Sequence, residues 1–466
     1  MRAMPGLVDT ERSFLQTFDP ASGRPHEPVP SSTLDELAAA VAAARAAQPA
    51  WSALGFEGRS ELARRFLARL DDADMRERVA RCIAGEMGKP IKQARAEVGN
   101  VHRRTASFID RAREALADEV GREGEIEVTT QWRPLGVVAV VAPWNFPFST
   151  PNNLVMSALL TGNTAVLKPS EFTPRSGALY HQLFAELLPP GVFGLVQGSG
   201  LIGKALVEAP VDMVAFTGSI RTGQAIMREA ANGMKRLMLE LGGKDPMIVL
   251  PGADLAAAAA FAVRNALTNS GQVCVATERV FVPREHQQAF TDAVVREVAK
   301  LAVGDPLDET TDFGPMANAA QRELVLAQLA DAQASGARIV YGGERREPGC
   351  WLDPTVVVDV RDDMRLAREE TFGPVVSISS YDEVDEAVRR ANATHYGLGA
   401  SVWGPSGPAS EVAERLEAGM IGINRGLSAA AGAPWVGWKM SGFGYSRSMA
   451  GMRNFLQPRT HARTVG

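Results

Sequence analysis

Gly136-Val-Val-Ala-Val-Val-Ala-Pro-Trp-Asn-Phe-Pro147 decides how this chain folds. Val137 to Val141 is an unbroken apolar, β-branched run, the pattern of a strand covered on both faces. Pro143 and Pro147 stiffen the loop beyond it. Such a loop either fixes the Asn145 amide as a hydrogen-bond donor or serves only as a turn. Moving outward, β-rich runs recur at Thr164 to Leu167, Met213 to Phe216, Leu237 to Leu239 and Met247 to Leu250, with segments of crossover length between several of them. This alternation predicts a parallel sheet with helices on both faces. A second αβ series runs from Asp254 to about Trp403 and includes Arg279 to Val282, Arg338 to Tyr341 and Thr355 to Val358.

Upstream the pattern is helical. Thr33 and Glu36 have capping-box spacing, and an Ala-rich helix is expected to run to about Ala47 and stop at Pro49. Helical patterns follow from Gly58 to about Glu86 and from Lys92 to about Leu116. Glu119 to Trp132 reads as polar, exposed strand, and the tail beyond Gly442 is polar, with Arg447, Arg453, Arg459 and Arg463. The expected fold is two α/β lobes.

Length and composition set the outer bounds. The 466 residues allow two or three domains, and 45% hydrophobic with 22% charged residues is the balance of a globular protein with a large core. Lys plus Arg is 49 and Asp plus Glu is 54, a net charge of −5, which argues against a nucleic-acid or anionic-membrane surface as partner. No apolar run approaches the ~20 residues of a spanning helix. Asp9, Glu11 and Arg12 stand where a secretory signal needs apolar residues, so a cytoplasmic location is expected. Three cysteines, Cys82, Cys274 and Cys350, make no disulfide framework, and no C-x-x-C or Cys/His cluster points to a metal.

Single motifs leave alternatives open. Gly198-Ser-Gly-Leu-Ile-Gly203 matches G-x-G-x-x-G, but Asp212 comes too early for the acidic partner of a dinucleotide fingerprint. Phe216-Thr-Gly-Ser-Ile-Arg-Thr-Gly223 ends a strand in a small-residue turn, with helix expected from about Gln224. It is either a phosphate-binding helix start or an ordinary βα turn. Gly271-Gln-Val-Cys274 presents either a reactive thiol or a buried filler, and no distinctive His motif accompanies it. Glu240, before a Gly-Gly turn, is either a base with a pKa raised by burial or a surface strand end.

In order, Pro143-Trp-Asn-Phe-Pro147, Lys168-Pro-Ser-Glu171, Phe216-Thr-Gly-Ser219, Glu240-Leu-Gly-Gly-Lys244, Gly271-Gln-Val-Cys274, Glu369-Glu-Thr-Phe-Gly-Pro374 and Lys439-Met-Ser-Gly442 resemble the NAD(P)-dependent aldehyde dehydrogenase superfamily over nearly the whole chain. The resemblance implies two α/β domains with a small β oligomerisation extension. These are a nucleotide-binding domain (1–112 and 135–246), a catalytic domain (247–450) and the extension (113–134 and 451–466). It implies oxidation of a small aldehyde to the acid by a homodimer or homotetramer. Cys274 takes the place of the nucleophile, Asn145 and the Cys274 backbone N–H those of the oxyanion donors, and Glu240 that of the general base. Lys168 and Glu171 correspond to the adenosine-ribose contacts, Gly218 and Ser219 to the pyrophosphate site, and Glu370 and Phe372 to the nicotinamide contacts. Pro143, Trp144, Ser170, Gly200, Phe216, Thr217, Gly223 and Leu241 are the other cofactor positions. Glu171 would accept from a ribose 2′-OH and repel a 2′-phosphate, which favours NAD over NADP.

The departures concern proton exit and substrate. Leu154 replaces a Lys of many members, and Tyr445-Ser446 replaces an Arg-Glu pair, so the usual proton relay is missing. Gln457 replaces the Glu that pairs with that Arg, an ion pair exchanged for neutral groups. Trp435-Val-Gly437 replaces Phe-Gly-Gly in the tunnel wall. Members acting on succinic semialdehyde carry Arg where this chain has Asn153 or Thr268; Arg425 is the substitute to consider. Phe146, Asn153 and Trp435 are the expected tunnel residues, and Phe146 with Trp435 favours an apolar, aromatic or medium-chain aldehyde, with a succinate-semialdehyde-type substrate as the alternative. A cysteine hydrolase or amidotransferase would share the acyl chemistry without the nicotinamide, and a silent scaffolding member would bind cofactor without turnover.

Overall fold

Val137–Val141 lies inside a six-stranded sheet of order Gly442–Phe443, Arg236–Glu240, Met213–Thr217, Val137–Val141, Thr164–Lys168, Phe193–Leu195. All neighbours are parallel except Gly442–Phe443, which runs antiparallel to Arg236–Glu240. Side chains alternate between faces along each strand. Val138, Val140, Ala165, Leu167 and Met213 therefore pack with helices Gly55–Asp71, Ala73–Met87 and Ile91–Leu116. Val137, Ala139, Val166 and Val214 pack with helix Leu34–Ala53 and with Leu206 and Ile226 on the opposite face. The computed structural model describes residues 13–427 and 432–465; Asp9, Glu11 and Arg12 lie outside the described residues.

The second sheet has seven strands in the order Arg338–Tyr341, Thr355–Val358, Val375–Tyr381, Thr277–Pro283, Asp245–Val249, Gly399–Trp403, Met420–Ile423. Only the Arg338–Tyr341 edge is antiparallel. It is likewise covered on both faces, by Ala259, Ala262 and Phe290 on one and Ala387, Val412 and Leu416 on the other. A third, antiparallel ladder joins Glu119–Glu123, Ile126–Pro134 and Leu456–Thr464. No described helix is long and apolar enough to cross a membrane.

Several local expectations change. The first helix continues through Pro49 to Ala53. Proline there removes one N–H near the helix end, and the lost bond is offset by Trp51, which is buried and donates its indole N–H to Leu159 O at 3.0 Å. The pattern from Gly58 to Glu86 is two helices, Gly55–Asp71 and Ala73–Met87, divided by Asp72, whose side chain caps the second. Helix Ile220–Ala231 starts four residues earlier than Gln224, because Ser219 accepts from Thr222 N. Gly442–Phe443, close in sequence to the second sheet, belongs to the edge of the first.

This topology creates the crevice. Val141, Lys168, Thr217 and Glu240 are the carboxyl ends of neighbouring parallel strands, and each is followed by a motif loop. Glu240 leads through Leu241 to Lys244 into the second sheet at Asp245. Cys274 and the Glu370–Phe372 segment precede strands Thr277–Pro283 and Val375–Tyr381, so they stand at the amino ends of that sheet. The carboxyl edge of an open α/β sheet is where ligands bind.

Candidate active site

A cavity of about 960 Å³ lies between the sheets and is lined by Asn145, Thr217, Glu240, Cys274, Glu370 and Trp435, among others. Cys274 reaches it from a turn with left-handed backbone at Asn269 (φ 55°), Ser270 (φ 54°) and Gly271 (φ 75°). Conformations of this kind cost about 1–3 kcal/mol per non-glycine residue and persist only when their surroundings enforce them. Here Ser270 Oγ donates to Gly314 O at 2.7 Å, Asn269 N to Gln93 Oε1 at 2.9 Å, and Gln272 Nε2 to Asn269 O at 2.9 Å. Position 271 admits only glycine: a Cβ there would stand 2.0 Å from Gly373 O.

Asn145 is held from both ends. Its Nδ2 donates to Gln272 O at 3.0 Å, while its own carbonyl accepts from Lys89 Nζ at 3.0 Å and Asn269 Nδ2 at 3.1 Å. Lys89 and Glu97 form a buried ion pair, and Glu97 accepts from Phe148 N and Ser149 N at the start of helix Ser149–Leu160. On the other wall, the buried Lys244–Glu278 pair at 2.6 Å has the same function. Glu278 accepts from Thr371 N and Phe372 N and so fixes the Glu370–Phe372 segment.

Cys274 Sγ stands 4.0 Å from Glu240 Oε1, and Thr217 Oγ1 stands 3.5 Å from Glu240 Oε2. Burial raises the Glu240 carboxyl above the usual range. The Arg447 charge, the Trp435 indole N–H (which meets no acceptor in hydrogen-bond geometry but faces the carboxylate), Thr217 and Arg104 oppose that rise. Burial also pushes the Cys274 thiol well up, Glu240 adds to this, and Arg447 works against it. A thiol, a carboxylate made more basic and a positioned amide in one cavity are the groups that nucleophilic acyl chemistry requires.

Most of the expected residues converge. Pro143, Trp144, Phe146, Gly218, Ser219, Leu241 and Phe372 also line the cavity. Trp144 meets Phe372 edge to face at 5.4 Å. Glu370 accepts from Gly243 N at 3.1 Å, and burial, with Glu278 nearby, pushes its carboxyl to about 8. Lys168 Nζ donates to Glu171 Oε2 at 3.1 Å beyond the main cavity, and its stem packs 3.6 Å from the position a Cβ on Gly203 would take. Ser170 is buried and accepts from Phe172 N, and Gly200 opens helix Gly200–Glu208 at the surface.

Other expected positions lie elsewhere. Gly223 is inside helix Ile220–Ala231, its N–H bonded to Ser219 O, and Phe216 is core, its ring against Gly218. Asn153 and Leu154 are buried in helix Ser149–Leu160 and do not line the cavity. Thr268 borders a separate hollow with Lys92 and Asp312, and Arg425 is exposed. Gln457 is exposed and pairs with Arg133 in the third ladder, and no hydrogen bond links it to Tyr445.

Among the cavity residues not foreseen are two cations, Arg104 on helix Ile91–Leu116 and Arg447 after the last motif. The signal for Arg104 is its place among Val101, Thr105 and Phe108, all buried. Arg447 has left-handed backbone (φ 70°) and lies over the Trp435 ring, 3.8 Å from its centroid.

Comparison with known proteins identifies the family. Residues 7–461 match the model of the aldehyde dehydrogenase family. A solved NAD-dependent aldehyde dehydrogenase from Sinorhizobium meliloti is 37% identical, with 97% of this chain and 92% of that one covered at a TM-score of 0.94. Lactaldehyde dehydrogenase from Escherichia coli is 33% identical, covering 97% and 96% at 0.93. An E. coli enzyme described as NADP dependent is 32% identical, covering 97% and 95% at 0.94. The chain therefore belongs to the aldehyde dehydrogenase family.

Proposed function

We propose that this chain oxidises a small aldehyde to its carboxylic acid through a covalent adduct on Cys274. The observation that carries this reading is the 4.0 Å approach of Cys274 Sγ to Glu240 Oε1 in a cavity that also holds Asn145. The Cys274 thiolate, its proton having passed to solvent, adds to the aldehyde carbon. The alkoxide that forms is received by the Asn145 amide and the Cys274 backbone N–H. One such donor contributes on the order of 100-fold or more in rate. Oxidation of the thiohemiacetal leaves a thioester, which water hydrolyses with Glu240 as base.

A nicotinamide dinucleotide supplies the hydride acceptor when bound. The residues present fit one: the N-terminus of helix Ile220–Ala231 opens on the cavity at Ser219, and Gly242 leaves Glu370 room that a Cβ, 2.3 Å from Oε2, would take. Glu171, 38% exposed beside Lys168, favours a free 2′-OH, hence NAD over NADP. On this reading 1–112 and 135–246 bind the nucleotide, 247–450 carries the thiol, and 113–134 with 451–466 joins copies into a dimer or tetramer in the cytoplasm. Phe146 and Trp435 give the tunnel an apolar wall. With Leu154 in the core and the Ser446 hydroxyl buried without a partner, the proton leaves through water.

The test is NADH formation across a panel of aldehydes with wild type and Cys274→Ala. Activity that the substitution abolishes, while NAD still binds, is expected. Equal activity in both proteins would sink the proposal, and turnover without nicotinamide would favour a hydrolase.

A further inference from the structure

Two of the four arginines that line the cavity, Arg104 and Arg447, have no acidic partner of their own. Arg104 and Arg447 form no ion pair or hydrogen bond with any described residue, and Arg447 Nε is shut off from solvent without an acceptor. Burial lowers both guanidinium pKa values, Arg447 to about 10; a guanidinium keeps its proton at neutral pH. Of the two acidic side chains in the described lining, Glu370 is engaged by Gly243 N–H, and Arg103 and Arg221 line the cavity beside Arg104 and Arg447, so positive charge outnumbers negative there; Glu97, which also acts on Arg104, is itself paired with Lys89. Both cations act electrostatically on Glu240 and Cys274, which places them within reach of a molecule bound at the thiol.

A sheltered charge without a counter-ion is costly, and a ligand that brings the opposite charge recovers that cost. The Trp435 ring covers one face of the Arg447 guanidinium, so its donors are left at the edge, the geometry that suits an oxyanion. We infer that Arg104 and Arg447 form an anion subsite, and that the substrate is an aldehyde carrying a carboxylate or phosphate group away from its carbonyl. The Trp435 wall holds the spacer between the two ends. This rests on the proposed oxidation at Cys274. It needs no arginine at Asn153 or Thr268, because the charge comes from a different helix and from the far end of the chain.

The experiment compares kcat/KM for 5-oxopentanoate against pentanal, and for 3-oxopropyl phosphate against propanal. Wild type should prefer one charged member at least 10-fold, and which pair shows the preference identifies the oxyanion. Arg104→Met and Arg447→Met should each reduce that preference by roughly 10- to 100-fold, with Arg447→Lys intermediate. Calorimetry of glutarate and inorganic phosphate on Cys274→Ala reads the subsite without turnover. Anion binding lost in the Arg→Met proteins supports the subsite even if no aldehyde is oxidised. Oxidation of pentanal with no charge preference and no anion binding would overturn the inference and leave the oxidation standing. An equal fall for charged and neutral aldehydes would also overturn it, assigning the arginines to Glu240 and Cys274 instead. If Arg447→Met does not fold, Arg447→Lys and Arg104→Met decide the same question.

Discussion

Lys89 Nζ donates to the backbone carbonyl of Asn145 at 3.0 Å while paired with Glu97, so a buried ion pair sets the residue whose amide shares the cavity with Cys274. Removing one member of such a pair strands the other charge and costs about 3–5 kcal/mol. Lys89→Met should lower stability by that amount in urea unfolding and reduce kcat. Lys89→Met with Glu97→Leu should recover part of the stability but not the kcat. Full recovery of both would show that the pair does not position Asn145.

Glu240→Gln should keep a pre-steady-state burst of NADH and slow the steady state, if the carboxylate's main role is deacylation. Loss of the burst would transfer that role to activating the thiol.

The pH dependence follows from the environment of both groups. Each works deprotonated, and burial raises both pKa values, so kcat/KM should climb with pH into the alkaline range. Arg447 opposes both rises; Arg447→Met should therefore move this limb to still higher pH. A profile unchanged by the substitution would refute the assigned coupling.

Glu171→Ser should raise the kcat/KM ratio for NADP over NAD by about tenfold or more, because it removes the carboxylate that would face a 2′-phosphate and frees Lys168. A wild-type ratio already favouring NADP would contradict the assignment.

Gly271→Ala should be among the most damaging single changes, since it adds a Cβ against Gly373 O to a residue at φ +75°. A loss of roughly 3 kcal/mol or more, read as a large fall in Tm, is expected. A wild-type Tm would contradict it.

The sequence made the strands legible because Val137–Val141 and its parallel neighbours are short apolar runs closed by loops of distinctive composition. Asn145, Glu240 and Cys274 were legible for the same reason: each sits at a strand end or a turn, where local chemistry shows. That Gly223 falls inside a helix and that Asn153 is buried were not legible, because a motif's span does not reveal where a helix starts or which face is buried. Arg104 and Arg447 escaped notice because their meaning depends on a meeting of residues more than three hundred positions apart. In isolation each reads as a solvated charge.

The chain's last turns return to the first sheet at Gly442–Phe443, pass the cavity at Arg447, and end in the ladder Leu456–Thr464. In the proposed anion subsite, Arg447 carries part of the substrate preference on a seam that follows Asn145, Glu240 and Cys274 in the chain. Mutation can retune that seam one residue at a time, and the machinery that breaks the aldehyde's C–H bond need not change with it.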